Sequence, residues 1–324
     1  MNAKVVSFIN LKGGVGKTTL CLTIGEILSF ALNKKVLLID LDSQSNLSSA
    51  VVTRDVLEDF RKKKSSIYHM FLNLLHPQTL KHGWNIQNAI VTKCSNIGHN
   101  ENMSVVLSLP ELGQFDEDMA DVFEKGGREA SSGGIKVTVE WRKVLRKQLL
   151  PLLSQFEYIL IDCPPSLSLF TSNALVASDY YVTPIAPEFL SIQGLDLIQS
   201  RLGRLKQRIQ DTGVEFAGCL INRVDIRRKD HLRLCEDPVH RNPGKFKPFK
   251  YWVGDLKPMY IVTDYNYPLE EFGRKWESVK EKYNYQDRNF RNPKGVLHIP
   301  DELDDYSLYD ILVKLTNEFI RRCK

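Results

Sequence analysis

A doubly wound α/β fold, with a mostly parallel sheet and helices on both faces, is what this sequence predicts, on three observations. Short aliphatic and β-branched runs recur between residues 5 and 221. Longer amphipathic stretches separate them, as crossover helices separate the buried strands of a parallel sheet. The first run also meets the first helix-like stretch through a glycine-rich turn, the kind of junction at which α/β sheets place their ligands.

The runs, in order, are VVSFI (5–9), VLLID (36–40), VVLSL (105–109), YILID (158–162), YVTPI (181–185) and FAGCLI (216–221). The helix-like TTLCLTIGEILSF follows the glycine-rich turn. Between the second and third runs the pattern is less regular, and an insertion is expected around residues 50–135. It holds the charge run Arg61 to Lys64, an apolar helix-like stretch from Ile67 to Leu75 and a Gly/Ser-rich loop, EKGGREASSGG (124–134). Residues 141–156 read as a helix leading into YILID, with Pro151 as a kink or restart. Beyond Asn222, Pro238, Pro243, Pro248 and Pro258 interrupt a basic region around 223–300, where loops and short elements are expected. Tyr306 to Arg322 carries Leu308, Ile311, Leu312, Leu315, Phe319 and Ile320 at helical spacing, an amphipathic helix. The whole chain, 1–324, is read as one domain without internal repeats.

Composition narrows the functional classes. Hydrophobic residues at 43% and charged residues at 26% fit a globular chain with a sizeable core rather than a disordered one. The six cysteines form no C-x-x-C pair and have no histidine at metal-ligand spacing, so a zinc or iron–sulfur site within one chain is not expected. Cys163, directly after Asp162, reads as a packed core residue. KVVSFI (4–9) is too short for a signal peptide, and no run approaches the roughly 20 apolar residues of a membrane span. A reducing cytoplasm is the expected compartment. The net charge of +5 is mild, but its surplus is concentrated: nine Lys/Arg against four Asp/Glu from Arg223 to Lys250, and seven against three from Arg274 to Lys294.

The chemistry starts at the turn. Residues 11–19 read LKGGVGKTT, which departs from G-x-x-x-x-G-K-[ST] only where Leu11 replaces the first glycine. Gly13, Gly14 and Gly16 let the backbone bend so that N–H groups point inward, and the helix that follows adds the positive end of its dipole. Lys17 supplies charge to the β- and γ-phosphates, and the Thr18 hydroxyl is placed to ligate Mg2+. The stretch Lys12, Gly13, Gly14, Val15, Gly16, Lys17, Thr18 and Thr19 is therefore the candidate nucleotide-binding loop, and ATP and Mg2+ are the expected cofactors. Lys12 is a second lysine on that loop. From the residues alone it is either a solvated surface lysine or one free to swing away from its own nucleotide. Asp40 and Asp42 end one buried strand and Asp162 another, at the carboxyl edge where such sheets bind ligands. Asp162 would hold Mg2+ through water, with Asp40 also placed for the metal shell.

These stretches together resemble the ParA/MinD family of deviant Walker A ATPases, closest to the ParA/Soj-type partition ATPases without an N-terminal helix-turn-helix. Besides KGGVGKTT, the segment VLLIDLDSQSNLS beginning at Val36 is similar to the family's second acidic motif, with Ser43 and Ser45 where Pro and Gly are usual. YILIDCPPSLSLFTSNAL (158–175) looks like its Walker B region, and TPIAPEFLSIQGL (183–195) and LINRVD (220–225) are similar to later segments. The resemblance implies that Lys12 crosses a dimer interface to the partner's nucleotide, that Asp42 orients the attacking water, and hence that Lys12, Lys17 and Asp42 are the catalytic set. It implies adenine contacts from Asn222 and Arg223, and a base-adjacent or interface loop at Pro187 and Glu188.

The same resemblance implies an ATP-state homodimer with slow hydrolysis, stimulated by a cargo-bound activator protein, and non-specific binding of DNA. Candidates for the DNA contact are Arg227, Arg228, Lys229, Arg233, Lys245, Lys247 and Lys250, since non-specific affinity comes from neutralising phosphates. The expected activity is partition of plasmid or chromosomal DNA, in the cytoplasm and at the nucleoid. The chain starts so close to its phosphate loop that no N-terminal operator-binding domain is expected. Other readings are a family member that positions another cargo or cycles on a membrane, a P-loop reductase, and a P-loop small-molecule kinase or ligase. For membrane cycling, Asp304, Asp305, Asp310 and Glu318 argue against docking of the last helix on an anionic surface, so no stable membrane anchor is expected.

Overall fold

A computed structural model describes residues 2–75, 84–94, 100–115, 139–208, 213–225, 227–236, 247–253 and 308–324. Its strands are β1 (Lys4–Phe8), β2 (Val36–Asp40), β3 (Ile90–Thr92), β4 (Met103–Val106), β5 (Tyr158–Asp162), β6 (Tyr180–Ile185) and β7 (Glu215–Ile221). They form one sheet in the order β3-β4-β2-β5-β1-β6-β7, parallel throughout except for the antiparallel edge pair β3–β4. β2 and β5 are buried at every position, which is why they read as unbroken apolar runs rather than as alternating ones.

The helices of the described residues are α1 (Lys17–Glu26), α2 (Asn46–Val51), α3 (Arg54–Lys62), α4 (Ile67–Leu75), α5 (Val144–Leu149), α6 (Leu169–Ala177), α7 (Phe189–Arg208), α8 (Lys229–Glu236) and α9 (Leu308–Arg322). They cover both faces of the sheet. Along β2, Val36 and Leu38 join one core with Leu20, Ile24 and Phe319, while Leu37 and Ile39 join the other with Phe71, Phe115 and Phe170. This alternation is the period-2 geometry of a strand with a helical layer on each side. α1 runs on into a π-helical turn, Ile27–Ala31.

Several expectations meet the structure here. Pro151 does break the 141–156 stretch, which is a 3-10 turn (Val139–Lys143), α5, and a second 3-10 turn (Leu150–Leu152) containing the proline. The described part of the 50–135 stretch supplies α3, α4, β3 and β4. The loop 124–134, the basic stretch 274–294 and Lys245 lie outside the described residues.

α9 packs into the core through Leu312, Leu315 and Phe319, all buried, with Phe319 stacked on Phe8 at 6.1 Å between ring centroids. Glu318 accepts two bonds from the Lys250 amide, at 2.9 and 3.1 Å. The Arg322 guanidinium donates to the carbonyls of Ala217, Lys247 and Pro248. Together they clamp the strap 247–253 along β7, where Phe249 and Val253 donate backbone bonds to Cys219 and Ile221. Gly218 has φ 141°, and a Cβ there would lie 2.4 Å from both Arg322 and the Lys247 carbonyl, so the strap's close approach requires glycine. The buried apolar side chains of α9 are thus not on offer to a membrane surface. Among the described residues no helix is long and apolar enough to cross a membrane.

The topology also creates the site. β1 lies between β5 and β6, and the chain moves to one side of it for β2 and to the other for β6, so the carboxyl edge of β1 is the switch point of the sheet. The parallel register sets Phe8 opposite Asp162 and Asp40 opposite Asp162. Two carboxylates far apart in sequence are therefore neighbours on the edge where the glycine-rich loop emerges.

Candidate nucleotide-binding site

The loop 11–16 follows β1 and ends as the N-cap of α1. Gly14 (φ 72°) and Gly16 (φ 89°) both take the left-handed conformation that side chains disfavour. Gly16 is needed for a second reason: a Cβ there would sit 2.1 Å from the Asn222 amide nitrogen. The N-cap carries no side-chain acceptor and the first turn no acidic residue. The first backbone bond of the helix runs from Leu20 to the Gly16 carbonyl at 2.9 Å, which leaves the amides of Lys17, Thr18 and Thr19 at an open, electropositive helix end.

From β7, Asn222 donates to the Val15 carbonyl at 3.1 Å, and Arg223, itself left-handed at φ 61°, donates to the Gly14 carbonyl at 2.7 Å. These two residues were expected at the adenine. In the structure they hold the loop's carbonyls, which turns its N–H groups the other way. Nothing in the sequence pairs residue 222 with residue 15; only the adjacency of β1, β6 and β7 does.

The two lysines of the loop point to different places. Lys17 is buried, with its ammonium 3.4 Å from the Lys12 carbonyl. Lys12 is fixed at its amide by Asn10 Oδ1 (2.9 Å), and Asn10 is tied to the Pro184 carbonyl (2.7 Å). Its half-exposed side chain forms an ion pair with Glu188. That pairing holds the Glu188 carboxyl below its ordinary value and could not be read from sequence, since the residues lie on loops after β1 and β6. Pro187 is buried beside it.

On the acidic side, Thr18 Oγ1 donates to Asp162 Oδ2 at 2.6 Å, while Asp162 Oδ1 is buried with no hydrogen-bond partner. Burial, and then the charge of Asp40, push the Asp162 carboxyl well above the ordinary range, against Thr18 and Lys17. A buried carboxylate oxygen left unpaired beside a threonine hydroxyl and a lysine suits a hydrated cation brought in with a polyphosphate. The residues present fit Mg2+ and a nucleotide.

Asp40, expected in the metal shell, has both oxygens engaged by the chain: Oδ1 accepts from the Asp42 amide (3.0 Å), and Oδ2 from the Ser48 amide (2.9 Å) and hydroxyl (2.7 Å). Burial raises its pKa to about 7 in spite of those donors. Asp42 lies two residues further on, buried, with Oδ1 accepting from the Gln44 amide at 3.0 Å.

Ser45 stands where the resembling motif has glycine, and it is the left-handed N-cap of α2, at φ 52° and ψ 30°. A left-handed side-chain residue costs about 1–2 kcal/mol. Ser45→Gly is therefore expected to stabilise the protein by about 0.5–1 kcal/mol in urea unfolding. A loss of stability would mean that the 3.4 Å bond from Ser45 to the Ser43 carbonyl outweighs the strain.

Away from the loop, the basic candidates divide. Arg227 is paired with Asp225 and Arg228 with Asp230, which leaves the net excess counted from sequence unchanged but places it on other residues. Lys229, Arg233, Lys247 and Lys250 are exposed.

A parallel sheet with a glycine-rich loop at its switch point, a buried lysine on that loop and a Thr–Asp pair beneath it defines a P-loop nucleoside triphosphatase. Residues 3–213 match the family model described as an AAA domain. The chain belongs to that family, as a ParA/MinD-type P-loop ATPase, and the family's cofactors are ATP and Mg2+. The sporulation initiation inhibitor protein Soj of Bacillus subtilis is 27% identical over 234 residues, covering 72% of this chain and 78% of that protein. The chromosome partitioning protein ParA of Myxococcus xanthus is 28% identical over 251 residues, covering 75% and 72%. A plasmid partition protein of Borrelia burgdorferi shares the fold, with a TM-score of 0.57 and 23% identity, over 81% of this chain and 97% of that one.

Proposed function

We propose that the protein is a dimerising switch: ATP closes two copies face to face, the dimer binds DNA without sequence preference, and hydrolysis releases it, so that plasmid or chromosomal DNA is partitioned. The observation that carries this reading is the divergence of the two loop lysines. Lys17 is buried over its own loop, whereas Lys12 is turned outward into a half-exposed ion pair with Glu188. An exposed pair contributes about 0–1 kcal/mol, so a partner subunit's triphosphate competes for Lys12 easily.

Bound Mg2+ and ATP supply the reactive phosphorus and most of the counter-charge. The chain's residues do the positioning on which phosphoryl transfer depends. The amides of the loop from Gly13 to Thr19 bind phosphate oxygens, Lys17 neutralises the β/γ region, and Thr18 with Asp162 holds the metal. Asp42 orients the attacking water from its free Oδ2. Lys12 completes the charge on the partner's nucleotide, which makes hydrolysis conditional on the dimer and slow until an activator protein on the cargo improves the alignment. Asn222 and Arg223, with Pro187 and Glu188, border the nucleotide from the β6–β7 side.

The resemblance to chromosome and plasmid partition proteins supports DNA as the surface bound. With Arg227 and Arg228 neutralised locally, Lys229, Arg233, Lys247 and Lys250 carry the described part of the contact, and a cytoplasmic, nucleoid-associated protein follows. The test is binding to random-sequence duplex DNA with ATP, ADP or neither, across a salt series. Binding seen only with ATP is expected, with log affinity falling by about 0.9 per neutralised phosphate for each unit of log salt. Absence of binding in every state would refute DNA and leave an ATP switch for another cargo.

A further inference from the structure

The residues that hold the water-orienting aspartate in place belong to a second layer behind the metal edge. Asp42 is fixed at its main chain from both sides. Its amide donates to Asp40 Oδ1, and its carbonyl accepts from the Ser45 amide (2.9 Å) and from the Ser108 hydroxyl (2.8 Å). Asp40, the first of these anchors, is itself held by the Ser48 amide and hydroxyl. The Ser48 hydroxyl in turn accepts the Ser108 amide at 2.8 Å. The network therefore closes on itself: Ser108 to Ser48, Ser48 to Asp40, Asp40 to Asp42, and Asp42 back to Ser108. Asp40, Ser48 and Ser108 are fully buried.

From this closed ring we infer that Ser48 and Ser108 are positioning residues for ATP hydrolysis, setting the Asp42 backbone so that its carboxylate presents Oδ2 to the attacking water. Among the described residues Oδ1 is taken by the Gln44 amide and no hydrogen bond reaches Oδ2. Once the main chain is pinned at both its amide and its carbonyl, the side chain's only remaining freedom is that of its own rotamers. Ser108 reaches the site from the loop after β4, 66 residues along the chain from Asp42, so it ties the water-orienting turn to a neighbouring strand of the sheet. Removing its hydroxyl leaves a buried carbonyl short of a donor and lets the turn shift. Misplacement of a catalytic group by about 1 Å costs up to about 100-fold in rate.

The inference rests on the assignment of Asp42 above, and the experiment separates the two. Single-turnover ATP hydrolysis at saturating ATP and Mg2+ is measured with equilibrium ATP affinity and the melting temperature, for Ser108→Ala, Ser48→Ala, Ser108→Thr and Asp42→Ala. Ser108→Ala and Ser48→Ala are expected to slow hydrolysis about 10- to 30-fold with ATP affinity changed less than about 3-fold. Ser108→Thr keeps the hydroxyl and is expected to restore the rate. If both alanine variants hydrolyse at the wild-type rate while Asp42→Ala is inactive, the positioning role fails and the Asp42 assignment stands. If Asp42→Ala itself remains active, the underlying assignment fails. If rate and affinity fall together with melting temperature and threonine rescues nothing, the serines only hold α2 and the loop after β4 together, and the inference is overturned. Should Ser48→Ala not fold, Ser108→Ala decides alone, because it removes one hydroxyl and leaves the Ser48–Asp40 bonds in place.

Discussion

Lys17→Ala is expected to lower nucleotide affinity by at least about 100-fold and to abolish turnover, the cost typical of removing a preorganised counter-charge from a site that excludes water. The side chain is buried at the first residue of α1, and among the described residues its only hydrogen bond is the long one to the Lys12 carbonyl, so it is held in place without being neutralised there. Its charge acts on Asp162, whose carboxyl it lowers against the effect of burial. Alanine would thus leave Asp162 less compensated as well as removing the phosphate contact. Equilibrium binding of a fluorescent ATP analogue checks the affinity, and circular dichroism checks that the fold survives. Wild-type affinity in a folded Lys17→Ala protein would refute the phosphate site.

Lys12→Ala is expected to behave in the opposite way: nucleotide affinity within about 3-fold of wild type, but loss of the ATP-dependent dimer and of the hydrolysis that follows it. The physical reason is where the side chain lies. It leaves the loop, pairs with Glu188 at the surface and contributes only a carbonyl to its own lysine partner. Losing an exposed ion pair costs the monomer about 0–1 kcal/mol, too little to disturb the loop. Light scattering with ATP and with ADP separates the outcomes. A dimer that forms unchanged in Lys12→Ala would remove the role in trans, while Lys17 would keep its own.

How much of this could be read without coordinates depended on whether the cause was local. Five of the six runs read as strands match strands within a residue, because a central parallel strand is buried on both faces and betrays itself by an unbroken apolar run; the third, 105–109, overlaps its strand Met103–Val106 only at Val105 and Val106, since the buried apolar run continues into the loop that follows. β3 carries no such mark: Ile90–Thr92 is three residues long, partly exposed and antiparallel, so it has neither the length nor the burial of the others. α8 is one of the short elements expected after Asn222, and being short and mostly polar within a proline-interrupted region it carries no pattern that would have given its bounds. The charge excess after Asn222 was countable, but Arg227 and Arg228 each turn back onto an aspartate two residues away, and a count of charges does not see which of them are paired.

At the site the division is sharper. The glycines, the two lysines, Thr18 and the three aspartates at or just past strand ends stand out as candidates by residue type and spacing, since the need for left-handed backbone, for a helix end and for carboxylates at a strand terminus is local chemistry. What each of those groups touches was not so determined. Asp40 could have faced the metal or the chain, and it faces the chain through Ser48 and Asp42. Lys12 could have been a solvated lysine, and it meets Glu188 176 residues away; Asn222 meets the Val15 carbonyl across 207 residues. Those contacts exist because a parallel sheet brings distant strand ends side by side at one edge, in an order set by the crossovers. The sequence by itself thus determined the loop, its cofactor class and the family, all properties of short segments. Only the tertiary structure decided which lysine is buried, which aspartate is already satisfied and which serines stand behind Asp42, because hydrogen bonds between segments depend on register and strand order rather than on local pattern.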